Sequence, residues 1–247
     1  MGERRFTVQA CCVAVVVWVA AAGAAFADPP AKEFWPEIDT WFRVSNAWRV
    51  SVFVPISENL DTHYREGNII PQVDYAFGSK KRFTRLFDEG RARSMNVWML
   101  RGGYLGGKSL DDQGEAYTEY TTFGELHLRL PLKGGLLLSH RLRSDLRWLG
   151  KDSHELSNRW RYRLMLEKEF TAGRVSIVPY LNVEPYYDSR YDTVNRVRLI
   201  AGGSAAWAPR IAVEVNSTYQ YDSHSSTKEI LALGVILHVF FDASRTQ

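Results

Sequence analysis

From residue 28 onward, hydrophobic and polar positions alternate with a period of two over most of the chain. In the segment 158–170, for example, aromatic and aliphatic residues alternate with arginine and glutamate. This alternation is typical of β-strands that have one apolar and one polar face. A helical period of useful length does not occur after residue 28, so the sequence predicts an all-β domain.

Eleven alternating segments can be recognised, and most run for about ten residues, the length that a tilted strand needs to cross a bilayer. They begin near Phe34, Trp48, Ile69, Ser94, Tyr117, Leu136, Arg159, Val175, Val194, Ile211 and Ile230. From the middle of the chain, short turns at 133–135, 171–173 and 208–209 alternate with longer polar loops at 106–116, 150–157, 188–193 and 222–228. Aromatic residues cluster at the strand ends. These features together predict a transmembrane antiparallel β-barrel of about 12 strands, within a range of about 10–12.

The odd number of segments conflicts with antiparallel closure of a barrel. Single-chain bacterial barrels normally have an even number of strands. The short turn at 45–47 would orient the first segment wrongly for antiparallel pairing with the last one. We therefore expect either a hidden strand within 82–89 or a first segment that lies outside a ten-stranded wall, and we favour twelve strands.

The N-terminal residues 1–27 have the features of a cleaved signal peptide. Arg4 and Arg5 precede an apolar run at 10–24, and a small-x-small site at 25–27 ends the segment. Both cysteines, Cys11 and Cys12, lie in this segment, so the predicted barrel domain at 28–247 has no thiol for a disulfide, a nucleophile or a metal site. The 31 basic and 28 acidic residues are interspersed, which argues against nucleic-acid binding.

If the apolar face contacts lipid, the charged face fills the lumen. Unpaired charges are costly in a confined space, so we expect a lattice of arginine–carboxylate pairs there. The predicted lattice comprises Arg141, Arg143, Arg147, Arg159, Arg161, Arg163, Glu125, Asp145, Glu167, Glu169, Glu184 and Glu214. It would either fill the barrel and fix strand register or line an anion-preferring path.

Candidates for catalysis are sparse. His224 and Ser226 form a His-x-Ser sequence in a polar loop close to Asp222, which leaves open an outer-membrane lipid hydrolase acting at the external rim. Turn-forming residues explain this loop equally well, and the other histidines lack metal-ligand spacing. We expect no enzymatic activity, no metal and no cofactor. A soluble periplasmic β-sandwich that binds a ligand is the other alternative.

Several short motifs resemble the bacterial outer-membrane β-barrel family catalogued as domain of unknown function 2490. They are Phe34-Trp35-x-Glu37-x-Asp39-x-Trp41, Arg141-x-Arg143, Arg159-x-Arg161-x-Arg163, and Glu184 followed by Asn195-Arg196. The resemblance implies an outer-membrane β-barrel of Gram-negative bacteria, with no established activity and no catalytic residues to carry over. The chain departs from the family in the long stretch 78–91 and in the six residues that follow Phe241.

The expected function is therefore a non-enzymatic outer-membrane β-barrel, either structural or a narrow channel for small solutes, with anions as the candidate class. The expected partners are outer-membrane lipid and, during biogenesis, periplasmic chaperones and the barrel-insertion machinery. No nucleic-acid partner is expected, and the sequence leaves the oligomeric state open.

Overall fold

A computed structural model describes residues 29–45, 47–77, 97–111, 118–149, 155–173, 175–208 and 210–242. The predicted signal peptide at 1–27 and the suspected strand within 82–89 lie outside this part of the chain. The strands are β1 (Ala31–Arg43), β2 (Trp48–Asn59), β3 (Arg65–Phe77), β4 (Val97–Ser109), β5 (Thr118–Pro131), β6 (Leu136–Leu149), β7 (Glu155–Lys168), β8 (Phe170–Ala172), β9 (Val175–Asp188), β10 (Thr193–Ala208), β11 (Ile211–Asp222) and β12 (Glu229–Asp242). The all-β prediction is confirmed, and none of the described residues forms a helix long and apolar enough to cross a membrane.

The strands form one sheet that closes on itself. Neighbours along the chain pair antiparallel from β1 to β7, β9 then pairs with both β7 and β10, and the series continues to β12. Closure comes from a parallel pairing of β12 with β1, which runs from the pair Ala31–Ile230 to the pair Arg43–Asp242. The three-residue β8 continues the line of β7 beyond Glu169 and pairs only with β9. The closed wall therefore has eleven strands.

Parallel closure resolves the parity conflict. The first segment is part of the wall, so the expectation that it lies outside a ten-stranded barrel is wrong. A closed sheet also excludes the β-sandwich alternative, which requires two stacked sheets. With an odd strand number the chain enters at one rim and leaves at the other. The rim where β1 begins with Ala31 is called the N-rim below, and the rim where β12 ends with Asp242 is called the C-rim.

The polarity of the barrel is the reverse of that of a water-soluble domain. Each of the eleven wall strands exposes at least one large apolar side chain on the outer surface, such as Leu142 on β6 and Leu181 on β9, which is 58% exposed. The lumen instead buries charged groups, and Asp145 and Glu184 are completely inaccessible. The predicted assignment of the apolar side chains to the outer face therefore agrees with the structure, because a period of two sends alternate side chains to opposite faces.

Aromatic side chains lie on the outer surface near both rims. Near the C-rim, Phe42 stacks on Phe241 at 4.9 Å between ring centroids, and Trp48 packs on Tyr75 at 4.7 Å. Towards the N-rim, the strands expose Tyr104, Tyr120, Trp160 and Tyr221. This two-ended arrangement is typical of the interface girdles of membrane barrels.

Inside the barrel, a small apolar cluster lies near the C-rim. It consists of Trp41, Val178, Ala206, Ala212 and Phe240, with Phe53 packed against it. These residues lie in the halves of their strands nearest the C-rim, so the cluster forms an apolar floor. Charged groups lie beside this floor, as in the Arg129–Glu167 pair near the C-rim ends of β5 and β7, and continue from it to the N-rim.

Candidate functional site

The candidate site is the charged interior of the barrel, and alternation alone determines which side chains enter it. In β6, Arg141, Arg143 and Asp145 point inward because Leu142 and Leu146 point outward, where they are 43% and 44% exposed. The same parity places Arg159, Arg161 and Arg163 of β7 in the lumen. The sequence thus delivers charges of both signs to one enclosed space.

Asp145 is the acceptor for three arginines. Its carboxylate receives hydrogen bonds from Arg143 Nε at 2.6 Å, Arg159 Nε at 3.1 Å and Arg161 Nε at 2.7 Å. Because Asp145 is completely buried, these charge-assisted bonds replace all of its hydration.

Two glutamates bind the remaining central arginines. Glu125 accepts a hydrogen bond from Arg143 Nη1 at 2.9 Å and pairs with Arg101 at 3.4 Å and with Arg141 at 3.7 Å. Glu184 accepts hydrogen bonds from Arg141 Nη2 and, at 2.9 Å, from Arg163 Nη2. Each carboxylate therefore serves at least two cations.

The network extends towards both rims. Towards the C-rim, Asp74 accepts hydrogen bonds from Arg49 Nε at 2.8 Å and from Arg101 Nε at 2.6 Å. We call the whole set the ionic network, and its members are Arg49, Asp74, Arg101, Glu125, Arg141, Arg143, Asp145, Arg159, Arg161, Arg163 and Glu184. Towards the N-rim it continues through Arg147, which bonds Glu119 at 2.9 and 3.1 Å and Asp188 at 3.3 Å.

Aromatic rings cover several of the guanidinium groups. Arg143 lies 3.7 Å above the centroid of Phe123, and Arg49 lies 4.1 Å above that of Trp41. Such cation–π contacts stabilise desolvated arginines in addition to their carboxylate partners. They also join the ionic network to the apolar floor through Trp41.

The predicted lattice residues do not all lie in this network. The six arginines of the prediction, together with Glu125, Asp145 and Glu184, belong to the network or to its N-rim extension. Glu167 pairs instead with Arg129 at 2.9 Å. Glu169 lies in the break between β7 and β8, where it accepts a hydrogen bond from Ser176.

Glu214 belongs to a separate cluster on β1, β11 and β12. It accepts a hydrogen bond from the Tyr180 hydroxyl and lies 3.4 Å from His238 Nε2. The other ring nitrogen of His238 lies 3.2 Å from Asp39. Gly234 and Gly202 make room here, because a Cβ at either position would lie within 2.7 Å of Asn216.

Sequence reasoning did not find Arg49, Asp74 or Arg101. The signal was present, because Asp74 alternates with the outward Val73 and Tyr75, in the same way as the arginines of β6 and β7. Single charges in β2, β3 and β4 are less conspicuous than the arginine-rich strands. They become part of the site only because register places each of them opposite the next.

The loop residues considered for hydrolysis have other contacts. Asp222 pairs with Arg196 at 2.6 Å, and His224 Nδ1 lies 2.8 Å from Ser223 Oγ. The His224 ring stacks on Tyr191 at 4.1 Å. Within the described ranges, the structure shows no group of three or more metal-ligating side chains.

A closed β-barrel with an apolar outer wall and an ionic interior defines the class of this protein. Residues 35–230 match the model of a family described as "Protein of unknown function (DUF2490)". The chain belongs to this family, as its motifs suggested. No curated protein matches the chain.

Proposed function

We propose that this protein is a non-enzymatic outer-membrane β-barrel whose lumen is filled and closed rather than open as a pore. The observation that carries the proposal is the reversed polarity of the wall. Leu181 is 58% exposed and Leu233 is 49% exposed, whereas Asp145 and Glu184 are inaccessible. Water-soluble proteins rarely expose a continuous apolar surface of this extent, whereas hydrocarbon is its natural solvent.

Two layers support a closed lumen. The apolar floor around Trp41 and Phe240 lies at the C-rim, and both residues are at most 8% exposed. Above it, Asp74 and Asp145 have no contact with solvent. A continuous water path along the axis would expose charged groups in the middle of the lumen, so this packing favours a structural barrel over a channel.

The contacts in the N-rim loops support the absence of catalysis. A Ser–His pair needs a nucleophile and a base held within hydrogen-bond reach of each other. His224 instead contacts the neighbouring Ser223, and Asp222 is engaged by Arg196. We expect that Ser226→Ala leaves the lipid profile of the producing cells unchanged, and a profile altered by this single change would overturn the non-enzymatic proposal.

Cysteine labelling tests the membrane location. The two native cysteines lie in 1–27, so the barrel domain can carry single engineered thiols. In isolated outer membranes, a water-soluble maleimide should label Ser226→Cys and should fail to label Leu181→Cys until urea unfolds the barrel. Recovery of the protein in detergent-free extracts, with both thiols labelled equally, would contradict the proposal.

Planar-bilayer recording tests the closed lumen. The purified protein should insert without a steady conductance step at moderate voltage. A reproducible single-channel conductance would refute the filled lumen and would favour the narrow anion channel instead.

A further inference from the structure

A polar cavity opens at the N-rim, above the ionic network. It has a volume of about 180 Å³ and is lined by residues that include Arg159, Tyr186, Arg190, Asn195, Arg196 and Asp222. We call it the N-rim pocket. Its volume is enough for a small oxyanion together with water molecules.

The pocket lies where a regular charge pattern fails. One continuous line of cross-strand partners runs around the inside of the wall from β2 to β11: Arg49, Asp74, Arg101, Glu125, Arg143, Arg161, Tyr186, Arg196 and Asp222. Its first five members alternate strictly in sign, as favourable cross-strand pairs require. Between Arg161 and Arg196 the line holds Tyr186, so no side chain in that stretch supplies a negative charge.

Tyr186 lies in a strongly positive environment. Four guanidinium groups, those of Arg159, Arg161, Arg196 and Arg198, lie 5.1–5.7 Å from its ring centroid. Its side chain is 1% exposed, and its hydroxyl has no hydrogen-bond partner among the residues that the structure describes. A buried donor without a partner is costly, and a bound acceptor would remove that cost.

Arg159 supplies the cation of the pocket. Arg159 donates through Nε to Asp145 at 3.1 Å, whereas its Nη2 lies 4.0 Å from the nearest carboxylate oxygen of Glu119. Asp145, its partner, is shared with two other arginines and cannot neutralise all three. Arg190 in the loop is held by Asp188, whose hydrogen bonds raise the pKa of Arg190 and keep it charged.

Asn195 requires a hydrogen-bond donor in the ligand, whereas Arg159 and Tyr186 require an acceptor. Its amide nitrogen donates to Asp222 at 3.3 Å, whereas its carbonyl oxygen Oδ1 is buried and accepts no hydrogen bond from the described part of the chain. The pocket therefore presents donors for an anion and, in Asn195 Oδ1, an acceptor that no described residue satisfies. The carboxylates of Asp188 and Asp222 also line the pocket, and they are held by Arg190 and Arg196. A ligand that satisfies the donors and the free acceptor must carry negative oxygens and an O–H group.

We propose that the N-rim pocket binds a phosphate group that retains a P–OH, either inorganic phosphate or the monoanion of a phosphate monoester. Arg159 and the Tyr186 hydroxyl donate to its charged oxygens, and Asn195 Oδ1 accepts the hydrogen bond of its hydroxyl. Sulfate has the same shape but no proton at neutral pH, so it leaves Asn195 without a donor. This inference goes beyond the proposed function and holds in detergent as well as in a membrane.

Calorimetric titration of the full barrel in dodecyl maltoside tests the site, with sodium chloride holding the ionic strength constant. Inorganic phosphate should bind saturably at one site, and sulfate should bind at least tenfold more weakly because a buried acceptor is left unpaired. The absence of saturable phosphate binding would overturn the proposal, and equal affinity for sulfate would overturn the assignment to phosphate.

Two matched pairs of variants locate the site. Tyr186→Phe removes only the hydroxyl and should weaken phosphate binding about tenfold or more, whereas Tyr120→Phe, on the outer face of β5 and away from the pocket, should leave it unchanged. Ser225→Glu in the loop that lines the pocket should weaken binding, whereas Ser225→Gln should not. Because Ser225 is in a loop, this second pair remains decisive if Tyr186→Phe fails to fold. Wild-type affinity in a folded Tyr186→Phe or Ser225→Glu variant would overturn the assignment.

A competition experiment separates the two sources of the phosphate. Dodecyl phosphate mixed into the micelles presents the group as a lipid headgroup, and dodecyl sulfate is its matched control. Displacement of inorganic phosphate by dodecyl phosphate alone would assign a lipid-borne monoester. Unchanged phosphate affinity would assign the dissolved ion.

Discussion

Replacement of Leu181 by arginine tests the central physical claim, that the outer wall contacts hydrocarbon. Leu181 lies at the middle of the 14-residue strand β9 and is 58% exposed on the outer face. At about 3.3 Å per residue, it lies roughly 20 Å along the strand from either end. A strand tilt of about 40° places it near the middle of an apolar band about 25 Å tall.

The free-energy cost of an arginine on the outer wall depends on its depth in the membrane, so an arginine near the interface provides the control. An arginine at the bilayer midplane of a barrel costs about 2–4 kcal/mol, and one near the interface costs about 0–1 kcal/mol. Leu156, the second residue of β7, lies at the N-rim and is 62% exposed. Leu181→Arg should therefore be less stable than Leu156→Arg by about 2 kcal/mol.

The measurement is urea unfolding of the barrel reconstituted in liposomes, followed by the fluorescence of the seven tryptophans in 28–247. In water, an exposed leucine changed to arginine alters stability by only about 0.5 kcal/mol at either position. Equal stability of the two variants would therefore refute the claim that lipid surrounds the wall, whatever their absolute values.

Three further changes test the interior and the closure of the barrel. Asp145→Asn leaves three buried arginines without their shared anion, so it should lower the free energy of unfolding by about 3–5 kcal/mol in the same assay. A decrease below about 1 kcal/mol would show that the ionic network is not stabilising. Gly103→Ala places a Cβ 2.4 Å from Phe123 and should cost about 1–3 kcal/mol, whereas Gly102→Ala faces open space and should be neutral. Double-cysteine variants test the parallel closure by disulfide formation. Cysteines that replace Phe34 and Leu233, or Thr40 and Val239, should cross-link, because these residues are partners in the parallel pairing. Cross-linking of Phe34 with Val239, or of Thr40 with Leu233, would instead indicate antiparallel pairing.

The faces of the strands could be read from the sequence. The alternation of 158–170 placed Trp160 and Arg161 on opposite faces without any knowledge of neighbouring strands, because adjacent residues of a strand point to opposite sides. Strand lengths and the alternation of short and long connections favoured the apolar face as the outer one. The direction of closure could not be read in this way. An edge strand offers hydrogen-bonding groups to a parallel or an antiparallel neighbour alike, and only the assembled wall pairs β1 with β12 in the same direction.

The ionic interior, too, could be predicted from the sequence only in part. Strand parity sent Arg143 and Arg161 inward, but register places these two like charges directly opposite each other, an arrangement that is unfavourable in isolation. It is stabilised by Asp145, which hydrogen-bonds to both of them. No local pattern could reveal this, because the partners of a charge in a lumen depend on the relative shift of strands across the whole barrel.

The sequence by itself determined the strands and their two faces, since both depend only on the order of neighbouring residues. The tertiary structure decided the strand number, the parallel closure, the partner of each charge and the N-rim pocket. These features depend on distances between residues far apart in the chain. Tyr186 and Asn195 reach the same pocket only because β9 and β10 lie side by side in the closed wall.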